Sequence, residues 1–352
     1  MVSCGRTPRD EDVGGGWKGD AGGWINDALD VGCGRSGGCG RSGGSGRGEA
    51  MTRRGWLLLG AMGLIWGVPY LLIKVAVAEV SPPALVLART TIGAVVLVPF
   101  AARRGGLGVL RGRWRPVLAF AALEIIGPWV LLSNAEMTLA SSTTGLLVAT
   151  VPVFAVVLGR LVGDRRPVAP VRWFGLVVGL AGVALLTGLG SSPGHMWPIV
   201  QVLLAALGYA IAPIIADRAL QGIPPVVLTA ACLAVAALVY LPVVALSGQH
   251  PMPGVPAIAS LAVLGVVCTA LAFVLFFTLI TEVGAARSTL VAYLNPLVAV
   301  ALGALVLSEP VTAAVAVGGA LIVGGSAAAS SRHRQAAKEL VDLPLAGTPS
   351  PG

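Results

Sequence analysis

The segment STLVAYLNPLVAV at residues 288–300 lies over GLLVATVPVFAVV at 145–157 when the chain is set against itself with an offset of about 143 residues, which superimposes Pro296 on Pro152. The match continues outward in both directions. Upstream, Tyr209 and Ala210 fall where Trp66 and Gly67 do, Pro224 and Pro225 where Pro82 and Pro83 do, and Pro242 where Pro99 does; downstream, Gly318 and Gly325 fall on Gly175 and Gly182. Proline and glycine carry the match because they set helix kinks and close helix approach, which a duplicated helical fold must keep.

The medium of this duplicated fold follows from composition. With 56% hydrophobic and 11% charged residues over 352 positions, the chain is too apolar for a soluble domain and belongs in a bilayer. Its apolar runs approach the roughly 20 residues that cross a hydrocarbon core. Ten such spans are read at 56–77, 83–102, 115–133, 142–162, 172–189, 197–216, 225–246, 257–280, 287–307 and 311–329. Short separators with turn chemistry, such as SPP at 81–83, SSPG at 191–194 and GIPP at 222–225, divide them and leave no room for a soluble domain. Lipid offers no hydrogen-bond partners, and continuous apolar runs without period-two alternation select helices over a barrel. The expected fold is an all-α membrane protein. Each repeat, 51–190 and 191–330, holds five spans, an odd number, so the second enters the membrane from the opposite side. Inverted repeats of this kind, with kinked helices meeting near the midplane, are what alternating-access secondary transporters are built from.

Lys and Arg give the orientation. With the amino end inside, the cytoplasmic segments hold Arg53 and Arg54, the run from Arg103 to Arg115, that from Arg160 to Arg172, then Arg218, Arg287 and Arg332 to Lys338, while the opposite loops hold none. Both termini are therefore expected in the cytoplasm, with the protein in the cytoplasmic membrane. The net charge of +8 is read as this topology signal and not as a nucleic-acid footprint. Residues 1–50, rich in Gly, Ser, Asp and Arg, have no periodic apolar face and are expected to be a disordered tail, as 331–352 is a cytoplasmic one. Met51, followed by TRRGWLLLG, reads as an alternative start. That segment also resembles a signal peptide, with AVA at 76–78 as a cleavage site, but removing the first span would break the duplication. Cys33 and Cys39 lack partners for a metal or a disulfide, and Cys232 and Cys268 fall in apolar spans.

Several side chains do not suit lipid. WGVPYLLIK at 66–74 sets Trp66, Tyr70 and Lys74 at spacings of four and eight, hence on one helix face. Trp66 lies about 15 Å along the helix from Trp56, too deep for an interfacial belt, so Trp66 and Tyr70 are assigned to a central cavity and Lys74 is expected to snorkel outward. Arg89 and Glu124 lie well inside spans, where an ionisable group is a functional candidate by default. Their repeat counterparts fall near Cys232 and Cys268, both neutral, so the two charges are compatible with a mutual pair. Glu124 is read as a carboxylate that takes up a proton or binds an amine. Tyr293 and Asn295 flank Pro296 and join the cavity list. Pro69, Pro128, Pro152 and Pro296 each release a backbone carbonyl and act as helix hinges. Asn134 and Glu136 are read as loop residues, and His195 and His250 as isolated outer-loop residues without a ligand role.

The residues WG at 66–67, the PP-containing link followed by Arg89, AEMTLASSTTGLLVATVPVF at 135–154 and EVGAARSTLVAYLNPLVAVALGALVLSEPVT at 282–312 resemble the EamA-type transporters of the drug/metabolite transporter superfamily. The resemblance covers roughly residues 55–330, and the last motif is the most specific. One departure is GDRRP at 163–167, where the family often carries a Glu like Glu309. The resemblance implies ten helices, a central cavity and the export or uptake of small organic solutes in the cytoplasmic membrane; the function expected here is a secondary transporter of amino-acid, metabolite or drug-like solutes working by alternating access, with proton coupling or exchange. A channel or a lipid-translocating protein is the alternative. No nucleophile elbow, His cluster, paired carboxylates or Walker-type loop is present in the sequence, so the protein is expected to be no enzyme, with no cofactor and no metal. Its expected partners are a small-molecule solute, the lipid bilayer and protons, with no nucleic acid. Solute identity, direction and oligomeric state are not encoded legibly.

Overall fold

A computed structural model describes residues 52–103, 106–161, 170–188, 193–248 and 252–330, and all regular structure among them is helical. The two tails, Cys33 and Cys39, the GDRRP segment and His250 lie outside the described residues, as does the side chain of His195. In chain order the helices are α1 Arg53–Ala76, α2 Pro82–Arg103, α3 Trp114–Ala121, α4 Gly127–Ala135, α5 Ser141–Val148, α6 Val151–Leu161, α7 Pro170–Thr187, α8 Pro193–Ala219, α9 Pro225–Leu246, α10 Val255–Gly265, α11 Ala272–Val283, α12 Ala285–Ser288, α13 Val291–Val306 and α14 Ala313–Ser330. A π-helical turn, Ala122–Ile126, joins α3 to α4, and a second, Val266–Leu271, joins α10 to α11.

Among the described residues, counting joined pieces as one, eight helices are long and apolar enough to cross a membrane, and α13 and α14 are shorter apolar helices. Their outer faces carry large apolar side chains, among them Leu57, Val95, Leu238, Leu246 and Leu305. So much exposed apolar surface is costly in water and free in hydrocarbon, as a multi-pass membrane protein requires.

Local sequence explains where helices start, break and end. The Thr52 hydroxyl accepts from the Gly55 N–H at 2.9 Å and caps α1. Gly284, at φ 81°, takes the left-handed conformation that closes α11. The span read as one run over 142–162 is broken at Ala149 and Thr150. Pro152 has no N–H to give to the carbonyl of Val148, the last residue of α5. The span read over 287–307 is likewise interrupted between Ser288 and Val291. Pro69 and Pro296 instead sit inside continuous helices. Pro128 cannot donate to the carbonyl of Glu124, and the π turn before it absorbs that loss.

Helices pack in a definite pattern: α1 along α13, α2 along α9, α7 along α14, α4 against α8, α11 against α1 and α6 against α8. Glycine makes the closest of these approaches possible. A Cβ on Gly182 would come within 2.7 Å of the Gly318 carbonyl oxygen, and one on Gly175 within 2.6 Å of that of Gly325. At the α1–α13 crossing, Gly67 leaves room for the Val298 side chain and the Asn295 carbonyl.

Candidate functional site

The polar interior is built where α1, α2, the α3–α4 π turn and α8 meet. Gly208 permits this, because a Cβ there would come within 2.6 Å of the Leu123 carbonyl oxygen and 3.2 Å of the Pro128 ring. α8 therefore sits hard against the π turn and delivers Tyr209 beside Glu124, within electrostatic range of Glu124, Tyr70 and Arg89. The Tyr209 hydroxyl also lies within hydrogen-bonding reach of the Trp129 side chain. From α9, the Tyr240 hydroxyl donates to the Ile126 carbonyl at 2.7 Å and ties that helix to the π turn.

Arg89 is buried, and its guanidinium carbon stands 3.7 Å from the centroid of the Trp129 ring. Its Nε donates to the Thr269 hydroxyl at 2.9 Å, and that hydroxyl donates in turn to the Leu264 carbonyl at 2.8 Å inside the second π turn. Stacking on an indole in a desolvated site contributes on the order of 2 kcal/mol. Glu124 is half-buried in the first π turn, with Tyr209 and Cys232 as its electrostatic neighbours. The two charges do not pair with each other: the ion pair among the described residues joins Arg54 to Glu282 at 3.7 Å, at the ends of α1 and α11. The compatibility with an Arg89–Glu124 pair, read from their joint absence in the second half, thus gives way to an arginine held by an aromatic ring and a threonine hydroxyl.

The remaining candidates fall around this centre. Tyr70 is buried next to Gly145 of α5 and within electrostatic range of Arg89 and of Glu136. Trp66 turns to α11 instead, where it packs against Phe276 at 4.7 Å and Phe273 at 6.2 Å between centroids. Asn295 is half-buried with its side-chain carbonyl oxygen unpartnered, beside Gly67 of α1. The Tyr293 hydroxyl reaches toward the Ser326 carbonyl at 3.5 Å, and the Ser326 hydroxyl donates to Ala149 at 2.6 Å, so Tyr293 belongs to the α5–α13–α14 joint. Tyr70 and Arg89 are thus brought together, with Glu124 joined to them through Tyr209, whereas Trp66, Tyr293 and Asn295 are placed in separate contacts.

A second polar group lies at the end of the bundle that carries the C-terminus of α1. Lys74 does not snorkel away; its ammonium donates to the carbonyls of Glu136 at 2.7 Å and Leu139 at 2.8 Å and neutralises the C-terminal end of α4. Glu136 is wholly buried, and neither carboxyl oxygen has a hydrogen-bond partner. Burial pushes its carboxyl well above the usual range, with Lys74 opposing and Glu309 reinforcing that shift. Glu309, in the link between α13 and α14, accepts from the Ser141 N–H at 2.7 Å, the Ser142 N–H at 3.0 Å and the Ser142 hydroxyl at 2.6 Å, which caps α5 across the chain. Burial raises its carboxyl, but these bonds together outweigh it and hold the group below the ordinary value.

Sequence reasoning overlooked Trp129, Thr269 and Glu136. Tyr209 was legible as the repeat counterpart of Trp66, but Trp129 and Thr269 look like ordinary span residues until Arg89 is placed. Glu136, one residue beyond an apolar run, carries the signature of a loop. No group of three or more His, Cys, Asp or Glu suited to a metal occurs among the described residues.

Comparison with known proteins bears on what such a bundle does. The model of the EamA-like transporter family matches twice, at residues 53–188 and 196–331. The chain is 30% identical over 278 residues, 76% of its length and 88% of the relative's, to a Bacillus subtilis protein named uncharacterized transporter YvbV. It is 26% identical over 249 residues, 70% of its length and 80% of the relative's, to the uncharacterized inner membrane transporter YedA of Escherichia coli K12. A crystal structure titled only as that of a protein shares the fold at a TM-score of 0.58 and 23% identity, covering 78% of this chain and 96% of the other.

Proposed function

The chain belongs to the EamA-like transporter family, and from that premise we propose that it is a secondary carrier moving small organic solutes across the cytoplasmic membrane by alternating access. The observation that carries the reading is the pair of unlike charges, Arg89 and Glu124, enclosed in the bundle and engaged with aromatic and hydroxyl groups in place of each other. Uncompensated charges inside a membrane protein mark solute or ion pathways. Arg89 offers donors to an anionic group, and Glu124 holds an amine or a proton; Tyr70, Trp129 and Tyr209 supply the apolar walls with polar tips that suit small amphipathic solutes.

Ten spans arranged as two inverted five-helix repeats, 51–190 and 191–330, provide the moving parts, with both termini cytoplasmic. Three observations support this arrangement. The two family matches begin 53 and 196 residues into the chain, the offset seen in the proline and glycine pattern. The π turns at Ala122–Ile126 and Val266–Leu271 occupy corresponding places. Exchanging the halves also turns the α1–α13 contact into α8–α6, turns α4–α8 into α11–α1, and maps α2–α9 and α7–α14 onto themselves. Two halves with interchangeable contacts have two packings of similar energy, one open to each side. Pro69, Pro128, Pro152 and Pro296 are the hinges of this rocking, and Trp66, Tyr293 and Asn295 line the cavity in the alternate packing.

Reconstitution tests the reading. Purified protein in liposomes should show saturable counterflow of a solute found by screening an overexpressing strain against toxic amino acids and metabolite analogues. Ohmic single-channel currents, or lipid scrambling without solute flux, would replace the carrier by a pore or a scramblase.

A further inference from the structure

We propose that Glu136 is a proton-binding site, occupied while the end of the bundle carrying Lys74 and Glu309 is closed and emptied when that end opens. The inference rests on the carrier reading for its consequence, and on side-chain geometry for its substance. Glu136 has 0% relative exposure, and both carboxyl oxygens lack a partner. A buried carboxylate in that situation is strongly disfavoured against the neutral acid.

The surrounding groups do not supply a counter-charge at bonding distance. Among the described residues, the charged and titratable groups that reach Glu136 are Lys74 and Tyr70 of α1, Arg89 of α2 and Glu309 of the α13–α14 link. Lys74 spends its hydrogen bonds on the backbone carbonyls of residues 136 and 139. Arg89 is committed to Trp129 and Thr269. Tyr70 is buried and uncharged, and Glu309 is an anion whose oxygens are taken by Ser141 and Ser142. Of two nearby carboxyls, the hydrogen-bonded one keeps the charge and the unbonded one keeps the proton.

The same contacts couple the proton to closure. Glu309 reaches the N-terminus of α5 only because residue 303 is glycine, since a Cβ there would stand 2.5 Å from a Glu309 oxygen and 3.0 Å from the Ser141 hydroxyl, itself buried without a partner. Release of Glu309 from Ser141 and Ser142 would part α5 from the α13–α14 link and wet Glu136. Its O–H bond then breaks to an entering water, leaving carboxylate and hydronium, and an outward step of the carrier delivers one proton to that side.

Infrared difference spectroscopy on the full chain in lipid nanodiscs tests this without a transported solute. At neutral pH Glu124→Gln, which takes away the other carboxyl inside the bundle, should show the carbonyl band of a protonated carboxylic acid that the double variant Glu124→Gln/Glu136→Gln loses. Glu136→Asp should retain such a band at a moved frequency, which separates loss of the site from loss of the fold. Glu309→Gln, by removing both the anion and the cap, should shift the disappearance of the band down by about one pH unit, a tenfold weaker proton affinity. A band that survives in the double variant, or one whose titration is unmoved or raised by Glu309→Gln, overturns the proposal. Counterflow in liposomes without the band overturns this inference and leaves the carrier reading standing; the band without counterflow does the reverse.

Discussion

The two family-matched halves, 53–188 and 196–331, share their glycines and differ in their charges. Gly175 and Gly182 face Gly325 and Gly318, their counterparts in reverse order, across the α7–α14 contact. Arg89 and Glu124, by contrast, correspond to positions near Cys232 and Cys268, two neutral and buried thiols. Close packing constrains both halves alike, because a Cβ on any of these four glycines would stand 3.0 Å or less from the facing backbone. A solute site has no such requirement, since one guanidinium and one carboxylate suffice wherever they stand. Shared glycines therefore go with shared packing, whereas the two charges of the solute site proposed above stand on one half and are met by Tyr209 and Thr269 of the other.

The strongest attack on this comparison is at the shared positions. Gly182→Leu and Gly325→Leu should each cost about 3 kcal/mol or more by overpacking the α7–α14 crossing, and should appear together as loss of monodisperse protein and a lowered unfolding temperature in detergent. A large effect on one side alone would show that the halves are not mechanically equivalent.

Arg89→Ala comes next. It removes the indole stack and the bond to Thr269, and transport should fall at least about tenfold, with a stability loss on the order of 2 kcal/mol. Cys232→Ala, at the neutral counterpart, should change transport less than about twofold and stability by about 1 kcal/mol. Equal losses at the two positions would move the site onto the axis between the halves.

Glu124→Gln should leave folding unchanged while altering pH-dependent transport, measured as uptake across a series of imposed pH values. Cys268→Ser should leave that dependence in place. An unaltered pH profile in Glu124→Gln removes the proton role of Glu124 and leaves it as a partner for an amine.

The all-helical membrane frame was legible in the sequence because its signals are periodic and local: apolar runs of bilayer length, and proline and glycine where helices break and approach. Tyr70, Arg89 and Glu124 stood out as candidates for the same reason, each a polar residue out of place in an apolar run. What joins them was not. Trp129 stacks on Arg89, and Thr269 lies 180 residues away in sequence, so neither role exists until α2, α4 and the second π turn are packed. Trp66 errs in the other direction, since depth in the span marks it as interior but does not say that Phe273 and Phe276 will claim its ring. Glu136 was hidden by its position, because the turn after α4 folds inward under Lys74 and buries a residue that sequence places at the surface.

The smallest expected effect concerns Glu309, whose counterpart segment in the first half reads GDRRP. Its carboxylate caps α5 through Ser141 and Ser142, and these bonds hold its proton affinity below that of a free glutamate. A carboxyl depressed in the folded state contributes stability that is fully present above its unfolded pKa and is lost as the pH falls through the folded one. The window is therefore acidic, opening below the ordinary glutamate value near 4.5. Because Glu309 is partly open to solvent, screening reduces the effect to about 1 kcal/mol. Glu309→Gln should flatten the acid limb of the unfolding temperature between about pH 5 and pH 3 while changing the value at pH 7 by only a few degrees. An acid limb identical to the wild type would mean that the cap is exchanged for water at no cost, and that the link between α13 and α14 is free to leave α5 without help from a proton.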